Sequence, residues 1–324
     1  MAGEFQLIDR IRARVARRGD VVLGIGDDAA LLQPPPGMQL AVATDTLNIG
    51  IHFPPETAAA DIGWKALVVN LSDLAAMGAQ PAWCSLSLSM PDADMAWVDG
   101  FLDGFSALAA QHEVALVGGD TTRGPLSVCV SVIGFVEAGA ALRRDGARLG
   151  DEVWVSGTLG DAAAALSFWQ RGMAMPAALR ERLDRPLSRV VLGRALRGIA
   201  NACIDVSDGL LADLGHVCAA SGVGAEVEVD ALPASPALVA LDVDADTRRT
   251  WQASGGDDYE LCFTASPYRA DAVIEAAASS GVAVTRIGRL VAGTGVAART
   301  DAGIWRPASA GHEHFSATDP ANPN

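Results

Sequence analysis

Lysine is nearly absent from this chain: of its 24 basic residues only Lys65 is a lysine, and arginine supplies the rest of the positive charge. The phosphate loop of nucleoside triphosphatases, Gly-x-x-x-x-Gly-Lys-[Ser/Thr], is missing, and no lysine follows position 65 to complete one. His-Arg-Asp and Asp-Phe-Gly are missing too, which removes the protein-kinase set. A basic excess is lacking as well: 39 acidic residues leave a formal net charge of −15, which argues against nucleic acid or an anionic membrane as partner. The five cysteines, Cys84, Cys129, Cys203, Cys218 and Cys262, form no Cys-x-x-Cys pair and sit among apolar neighbours, as buried free thiols do. No long uncharged apolar run occurs, and no basic segment leads into one, so neither a membrane span nor a targeting segment is expected and the chain reads as cytoplasmic.

What the chain has is length, apolar mass and aspartate beside glycine. Its 324 residues, half of them hydrophobic, can bury a sizeable core, and the length suggests two domains. Gly-Ile-Gly-Asp-Asp stands at 24–28, Thr-Asp-Thr at 44–46, Gly-Gly-Asp-Thr-Thr at 118–122, Asp-Val-Ser-Asp-Gly at 205–209 and Gly-Gly-Asp-Asp at 255–258. Gathered carboxylates suit a hard divalent cation such as magnesium, which keeps several waters and bridges protein carboxylates to substrate phosphates. Glycine lets backbone and phosphate come close. The pattern points to a metal-dependent phosphate-transfer enzyme.

Hydrophobic period alternates between two and 3.6 along the chain. Strands are expected at 21–25, 39–44, 83–89, 114–118, 127–136 and 152–157, and near 225–229, 259–264 and 284–291. Helices are expected at 5–18, 58–78, 94–112, 160–171, 188–200, 208–221 and 269–280. The excess of strands before residue 136 favours an α+β arrangement with mixed sheets. Turn residues and charges at 141–151 mark the domain boundary, giving domains at 1–140 and 141–316 and a frayed tail at 317–324.

Each acidic motif has an ordinary explanation. Turn or cap chemistry covers Asp27 and Asp28; a polar strand end covers Thr44 and Asp45; a hairpin turn covers Asp257 and Asp258. In the strongly apolar stretch 61–78, Asn70 and Asp73 fall three apart on one helix face, where a carboxylate needs a partner. Gly118–Gly124 is expected just beyond the strand 114–118, as a cradle of glycines, acid, hydroxyls and arginine. Ser207 is the expected N-cap of the helix that follows, which leaves Asp205 without a capping role. One motif alone decides little, and five in one chain are harder to dismiss.

The strings Glu-Phe-x-Leu-Ile at 4–8, Leu-Gly-Ile-Gly-Asp-Asp-Ala-Ala-Leu-Leu at 23–32, Asn-Leu-Ser-Asp-Leu-Ala-Ala-Met-Gly-Ala at 70–79, Gly-Gly-Asp-Thr-Thr-Arg-Gly-Pro-Leu at 118–126, Ile-Asp-Val-Ser-Asp-Gly-Leu at 204–210 and Gly-Gly-Asp-Asp-Tyr-Glu-Leu-Cys-Phe-Thr at 255–264 resemble the bacterial thiamine-monophosphate kinase family, within the aminoimidazole ribonucleotide synthetase superfamily. The resemblance implies an α/β fold of mixed sheets in two domains, with N-terminal strands forming a barrel across a homodimer interface. It implies ATP-dependent phosphorylation of thiamine monophosphate to thiamine diphosphate, with ATP as co-substrate, several magnesium ions, no covalent nucleophile, and potassium as a candidate activator. By motif position, Asp28, Thr44, Asp45, Asp73, Asp120, Asp205 and Asp208 would hold the metals, with a backbone oxygen of Ala43. Gly119, Asp120, Arg144 and Ser207 would contact ATP; His52, Asp257 and His312 would contact thiamine monophosphate. Two positions depart from the family. Asp257 stands where relatives can carry glutamate, and His312 stands where the family shows an aromatic before Asp-His-Phe, with Trp305 as an alternative aromatic. An ATP-dependent synthetase acting on a formylglycinamidine-type ribonucleotide is the other reading within the superfamily.

Overall fold

A computed structural model describes residues 4–307 and Gly311. The chain opens with α1 (Glu4–Ala13), β1 (Val21–Leu23), β2 (Leu31–Leu32), β3 (Met38–Asn48) and α2 (Ala59–Ala76). There follow β4 (Gln80–Met90), α3 (Met95–Gln111), β5 (Ala115–Arg123) and β6 (Ser127–Glu137). The middle holds β7 (Glu152–Ser156), α4 (Asp161–Gln170), α5 (Ala177–Asp184), α6 (Val190–Ala195), β8 (Ala202–Val206), α7 (Leu210–Ser221) and β9 (Gly224–Glu228). The remainder is α8 (Pro236–Val239), α9 (Ala245–Ser254), β10 (Glu260–Ala265), α10 (Ala270–Ser280), β11 (Val284–Val291), β12 (Gly295–Thr300) and β13 (Gly303–Ile304). Two compact units result: one takes the residues up to Arg143 with Asp184–Ala200 and Glu275–Gly281, the other Arg144–Leu183, Asn201–Ile274 and the segment from Val282.

The first unit is built on a four-stranded sheet ordered β3-β6-β4-β5. β3 and β6 pair antiparallel along their whole length, from Met38 opposite Glu137 to Asn48 opposite Ser127. β4 and β5 run parallel and need a crossover, which α3 supplies. Side chains alternate between faces, so β6 buries Val128, Val130 and Val132 on one side and leaves Ser127, Cys129 and Ser131 half-exposed on the other. β4 repeats the pattern, burying Leu86 and Leu88 between half-exposed or exposed Ser85, Ser87 and Ser89. Helix α2 packs on β3 and β6 and buries Ile62, Leu67, Val68, Leu71 and Leu74, each contributing about 1.5–3 kcal/mol. α3 lies close on α2 because Gly63 and Gly104 face it: a Cβ at either would overlap a backbone carbonyl, that of Phe101 or of Ala60.

The second unit carries a seven-stranded sheet ordered β13-β12-β9-β11-β7-β10-β8, antiparallel except for the β12–β9 pair. Its core joins Val153, Val155, Ile204 and Val206 of the sheet to Leu210, Leu214 and Val217 of α7. The mixed α/β character agrees with the expectation from periodicity, while among the described residues neither sheet closes on itself. The structure adds β2, α5, β8, α8, α9, β12 and β13 to the expected elements. It also extends the strand expected at 114–118 to Arg123, so Gly118–Arg123 is ladder, paired with Ser85–Met90, and not a loop beyond a strand end. No described helix is long and apolar enough to cross a membrane.

Candidate functional site

The second unit brings two of the acidic motifs together. Asp205 is the fourth residue of β8 and is buried, opposite Leu261 of β10. The chain then turns through Ser207, Asp208 and Gly209 into α7, whose N-cap is Gly209, not Ser207 as expected. The cap is made by Asp213, one turn into the helix: its Oδ2 accepts the backbone N–H groups of Ser207, Asp208 and Gly209, each at 3.1 Å. Three successive N–H groups converging on one point form an anion nest at a helix N-terminus. Here the anion is the protein's own carboxylate, so a phosphate reaching this turn does not find those amides open. A ligand there must be met through the side chains of Ser207, Asp205 and Asp208.

The 255–259 loop lies on the same turn. Asp257 N–H donates to Ser207 O at 2.9 Å and Tyr259 N–H to Val206 O at 2.8 Å. Asp257 and Tyr259 hold positive φ, 67° and 51°, and the Tyr259 hydroxyl donates to Asp257 Oδ1 at 2.9 Å, fixing that carboxylate. Beneath them Asp258 is buried with both carboxylate oxygens 3.0 Å from Gly160 N–H, so Asp258 is structural while its neighbour Asp257 is half-exposed. Arg144, exposed in a short 3₁₀ turn at Arg144–Gly146, packs that turn against β8 and α7, and its carbonyl accepts the Ser221 hydroxyl at 2.8 Å. Asp205, Ser207, Asp208 and Asp257 therefore gather at one end of this unit's sheet, whereas the Arg144 turn lies in the same unit beside Asn201 and Ser221, at the start of β8 and the end of α7. Trp305 packs on the core of this unit and donates to Asp246, a structural role; His312 lies outside the described residues, though Gly311 sits against the Asp208 carbonyl.

In the first unit the candidate residues fall into separate groups. Asp45 N–H donates to Asn70 Oδ1 at 3.1 Å, which ties Asp45 to the helix that carries Asp73 one turn further on. Ala43 and Asp45 share the helix-covered face, whereas Thr44 points the other way and shares a 2.7 Å hydrogen bond with Ser131. Asp120 lies on this second face, in the row Thr46–Cys129–Ser87–Asp120 across the four strands. Thr44, two residues along β3 from that row, is thus three strand spacings and two residues from Asp120, about 16 Å. Gly119 has φ 152°, and a Cβ there would overlap the backbone of Leu86. Asp28 is exposed in the loop between β1 and β2. His52 is held in a tight turn, its Nδ1 accepting from Asn48 N–H at 3.0 Å and its carbonyl from buried Lys65 Nζ at 3.0 Å. The lone lysine is a structural tie.

Among the described residues no three His, Cys, Asp or Glu side chains converge tightly enough to hold a cation unaided. The donors are nevertheless all oxygen, and the carboxylates of Asp28, Asp120 and Asp208 accept no hydrogen bond from described residues. Such a set fits magnesium, which completes its octahedron with water and phosphate oxygens rather than an all-protein cage.

Burial, reinforced by the charges of Asp205 and Asp208, pushes the Asp213 carboxyl up to about 7, although the amides of Asp208 and Gly209 oppose the shift. Because the folded value lies above the unfolded one, the stability this group contributes is present at low pH and is lost as pH rises through about 7. In metal-free protein the stability of the parent relative to Asp213→Asn is expected to fall by about 2–3 kcal/mol between pH 5 and pH 8. Urea unfolding at the two pH values checks this, and a pH-independent difference would contradict it.

The family model described as AIR synthase related protein, N-terminal domain, matches residues 26–136, and that of the C-terminal domain matches residues 148–301. The thiamine-monophosphate kinase of Salmonella typhimurium (strain LT2) is 49% identical over 296 residues, which covers 90% of this chain and 91% of the relative. The crystal structure of thiamine-monophosphate kinase from Stenotrophomonas maltophilia K279a shares 58% identity at a TM-score of 0.85, covering 92% of this chain and 96% of that one. The structure of AaThiL complexed with AMPPCP and TMP shares 33% identity at a TM-score of 0.76 and covers 97% of both chains. With that identity over nearly its whole length and the fold to match, the chain belongs to the thiamine-monophosphate kinase family of AIR synthase related proteins.

Proposed function

We propose that the protein phosphorylates thiamine monophosphate to thiamine diphosphate with ATP as donor, the last step in making that cofactor. The observation that carries this reading is the relative that matches 97% of the chain and holds AMPPCP, an ATP analogue, together with TMP. In the transfer the bond from the β,γ-bridging oxygen to the γ-phosphorus breaks, and a bond forms from an oxygen of the acceptor phosphate to that phosphorus. With a second phosphate pKa of about 6, the acceptor oxygen is already deprotonated at neutral pH, so no general base is needed. What opposes the reaction is repulsion between two anions, and the protein's task is positioning and charge neutralisation.

The residues serve that task as oxygen donors. Asp28, Thr44, Asp45, Asp73, Asp120, Asp205 and Asp208, with the carbonyl of Ala43, would hold several magnesium ions. When bound, magnesium supplies neutralisation of the phosphate oxygens and keeps donor and acceptor in line. Gly119, Asp120, Arg144 and Ser207 would contact ATP, the exposed Arg144 guanidinium offering a fixed fork of donors to a phosphate. Asp257, oriented by Tyr259, and His52 and His312 would contact thiamine monophosphate. No cysteine is expected to act as nucleophile: Cys84, Cys203 and Cys262 are buried, and burial pushes their thiols up, away from the reactive thiolate. We propose an N-terminal ATP- and magnesium-binding domain at 1–140, followed by a domain at 141–316 that adds Arg144, Asp205, Ser207 and Asp208, and a tail at 317–324, in a cytoplasmic enzyme with potassium as a candidate activator.

ADP release assayed with each acceptor in turn tests the reading. Thiamine monophosphate is expected to support it; release with a formylglycinamidine-type ribonucleotide and none with thiamine monophosphate would favour the synthetase alternative.

We further propose a homodimer in which the first unit's sheet pairs with its copy as a barrel. The support is the uncovered sheet face and edge strand β3, where Leu40 and Val42 are 49% and 65% exposed beside Thr44 and Ser131. Sedimentation is expected to give a species of twice the 33.4 kDa chain mass, and a monomer at micromolar concentration would contradict it.

A further inference from the structure

Asp213 belongs to none of the assigned ligand positions, yet it organises the turn that carries two of them. The residue is 3% exposed, lies one turn inside α7, and spends a single carboxylate oxygen on three consecutive backbone donors, those of Ser207, Asp208 and Gly209. Gly209 accepts this geometry at φ 124° and ψ 142°, and a Cβ there would crowd the backbone of Ser254. The turn is therefore pinned from two sides, by the carboxylate below and by the Ser254–Tyr259 loop above, where Asp257 N–H and Tyr259 N–H donate to the carbonyls of Ser207 and Val206. The pinned conformation leaves the Asp208 carboxylate without a hydrogen bond from any described residue, on the residue whose own N–H Asp213 holds. A carboxylate left open while its backbone is fixed in three consecutive positions is a preorganised oxygen donor.

We propose that Asp213 is a positioning residue: by accepting the three amides it fixes the 207–209 turn in the form that presents Asp208 and Ser207, and so sets the affinity of this turn for a divalent cation. The inference rests on the metal assignment of Asp208. It makes the amide-accepting oxygen the working group, so Asp213→Asn, whose carboxamide oxygen can still accept, retains the function, and Asp213→Ala loses it.

The test is titration of the full-length protein with Mn²⁺, followed by electron paramagnetic resonance, alongside the magnesium dependence of thiamine diphosphate formation. Asp213→Ala is expected to weaken Mn²⁺ binding and raise the half-saturating magnesium concentration by about 10–100-fold, with kcat largely recovered at high magnesium. Asp213→Asn is expected to stay within about threefold of the parent, the residual cost of one lost charge-assisted acceptor. A purely structural role would lower the unfolding temperature of Asp213→Ala and leave both metal readouts within twofold, which would overturn the proposal. Asp213→Asn as impaired as Asp213→Ala would overturn it too, because charge and not the pinned turn would then set the affinity. If Asp213→Ala does not fold, Asp213→Asn decides alone, a tenfold loss of Mn²⁺ binding counting against. A parent that binds Mn²⁺ but makes no thiamine diphosphate would fail the functional reading and leave this test intact.

Discussion

Asp120→Asn and Asp208→Asn are each expected to cut thiamine diphosphate formation by about 10²–10³-fold while changing stability by no more than about 0.5 kcal/mol. Asp120 is exposed, and neither carboxylate accepts a hydrogen bond from a described residue. The fold therefore loses nothing when a carboxylate becomes a carboxamide of the same shape. What the substitution removes is one unit of negative charge, which is what the proposed magnesium would require from the protein. The pair of measurements separates the explanations: activity and unfolding free energy must part company. Unchanged activity in both variants would contradict the metal assignment, and a parallel fall in stability would show the acids to be structural.

Gly119→Ala is expected to do the reverse, lowering stability by about 2–5 kcal/mol from overpacking and backbone strain. Gly119 has φ 152°, and the Cβ of an alanine would overlap the carbonyl of Leu86 on the adjacent parallel strand. Relief requires β4 and β5 to separate, in a sheet where β4 is also held by β6 and β6 pairs unbroken with β3. Denaturant unfolding of the variant measures the loss. Full stability with only a weakened ATP response would instead mean that the missing side chain serves the approach of a phosphate. The ATP contact proposed for Gly119 and the strand contact can both hold at one glycine, but the strand contact alone suffices to exclude a larger residue.

The sequence was legible where burial is one-sided. β3, β4, β6 and α3 each bury one face or one stripe, and their periods of two and 3.6 survive in the residues, while α2, buried nearly all round, was legible from its long apolar run. β8 was not legible because its end is disguised as the start of the Asp205–Gly209 motif; complete burial alone does not hide a strand, since β10, buried at all six positions, was expected at 259–264. α9 was hidden by a polar surface, Ala-Asp-Thr-Arg-Arg-Thr, although Asp244 capping Thr247 N–H was a readable start signal. The glycines of Gly118–Gly119 suggested a loop, yet they lie in a strand, where Gly119 answers to the close approach of Leu86 while a Cβ at Gly118 would meet nothing. At the site, the residue types announced oxygen-ligand chemistry, and the shared segments announced the family. The supporting groups stayed silent: Asp213 makes its cap from one position later than the usual capping-box residue, and the Tyr259 hydroxyl reaches Asp257 through positive φ values that no residue pattern advertises.

The most direct test of the account is chromatographic detection of thiamine diphosphate after the purified protein is incubated with thiamine monophosphate, ATP and magnesium, with and without a chelator. The account predicts thiamine diphosphate and ADP in equal amounts, both abolished by the chelator and restored by excess magnesium. Absence of thiamine diphosphate, or its undiminished formation in the chelator, would contradict the proposal that bound magnesium, held by these aspartates, joins the two phosphates.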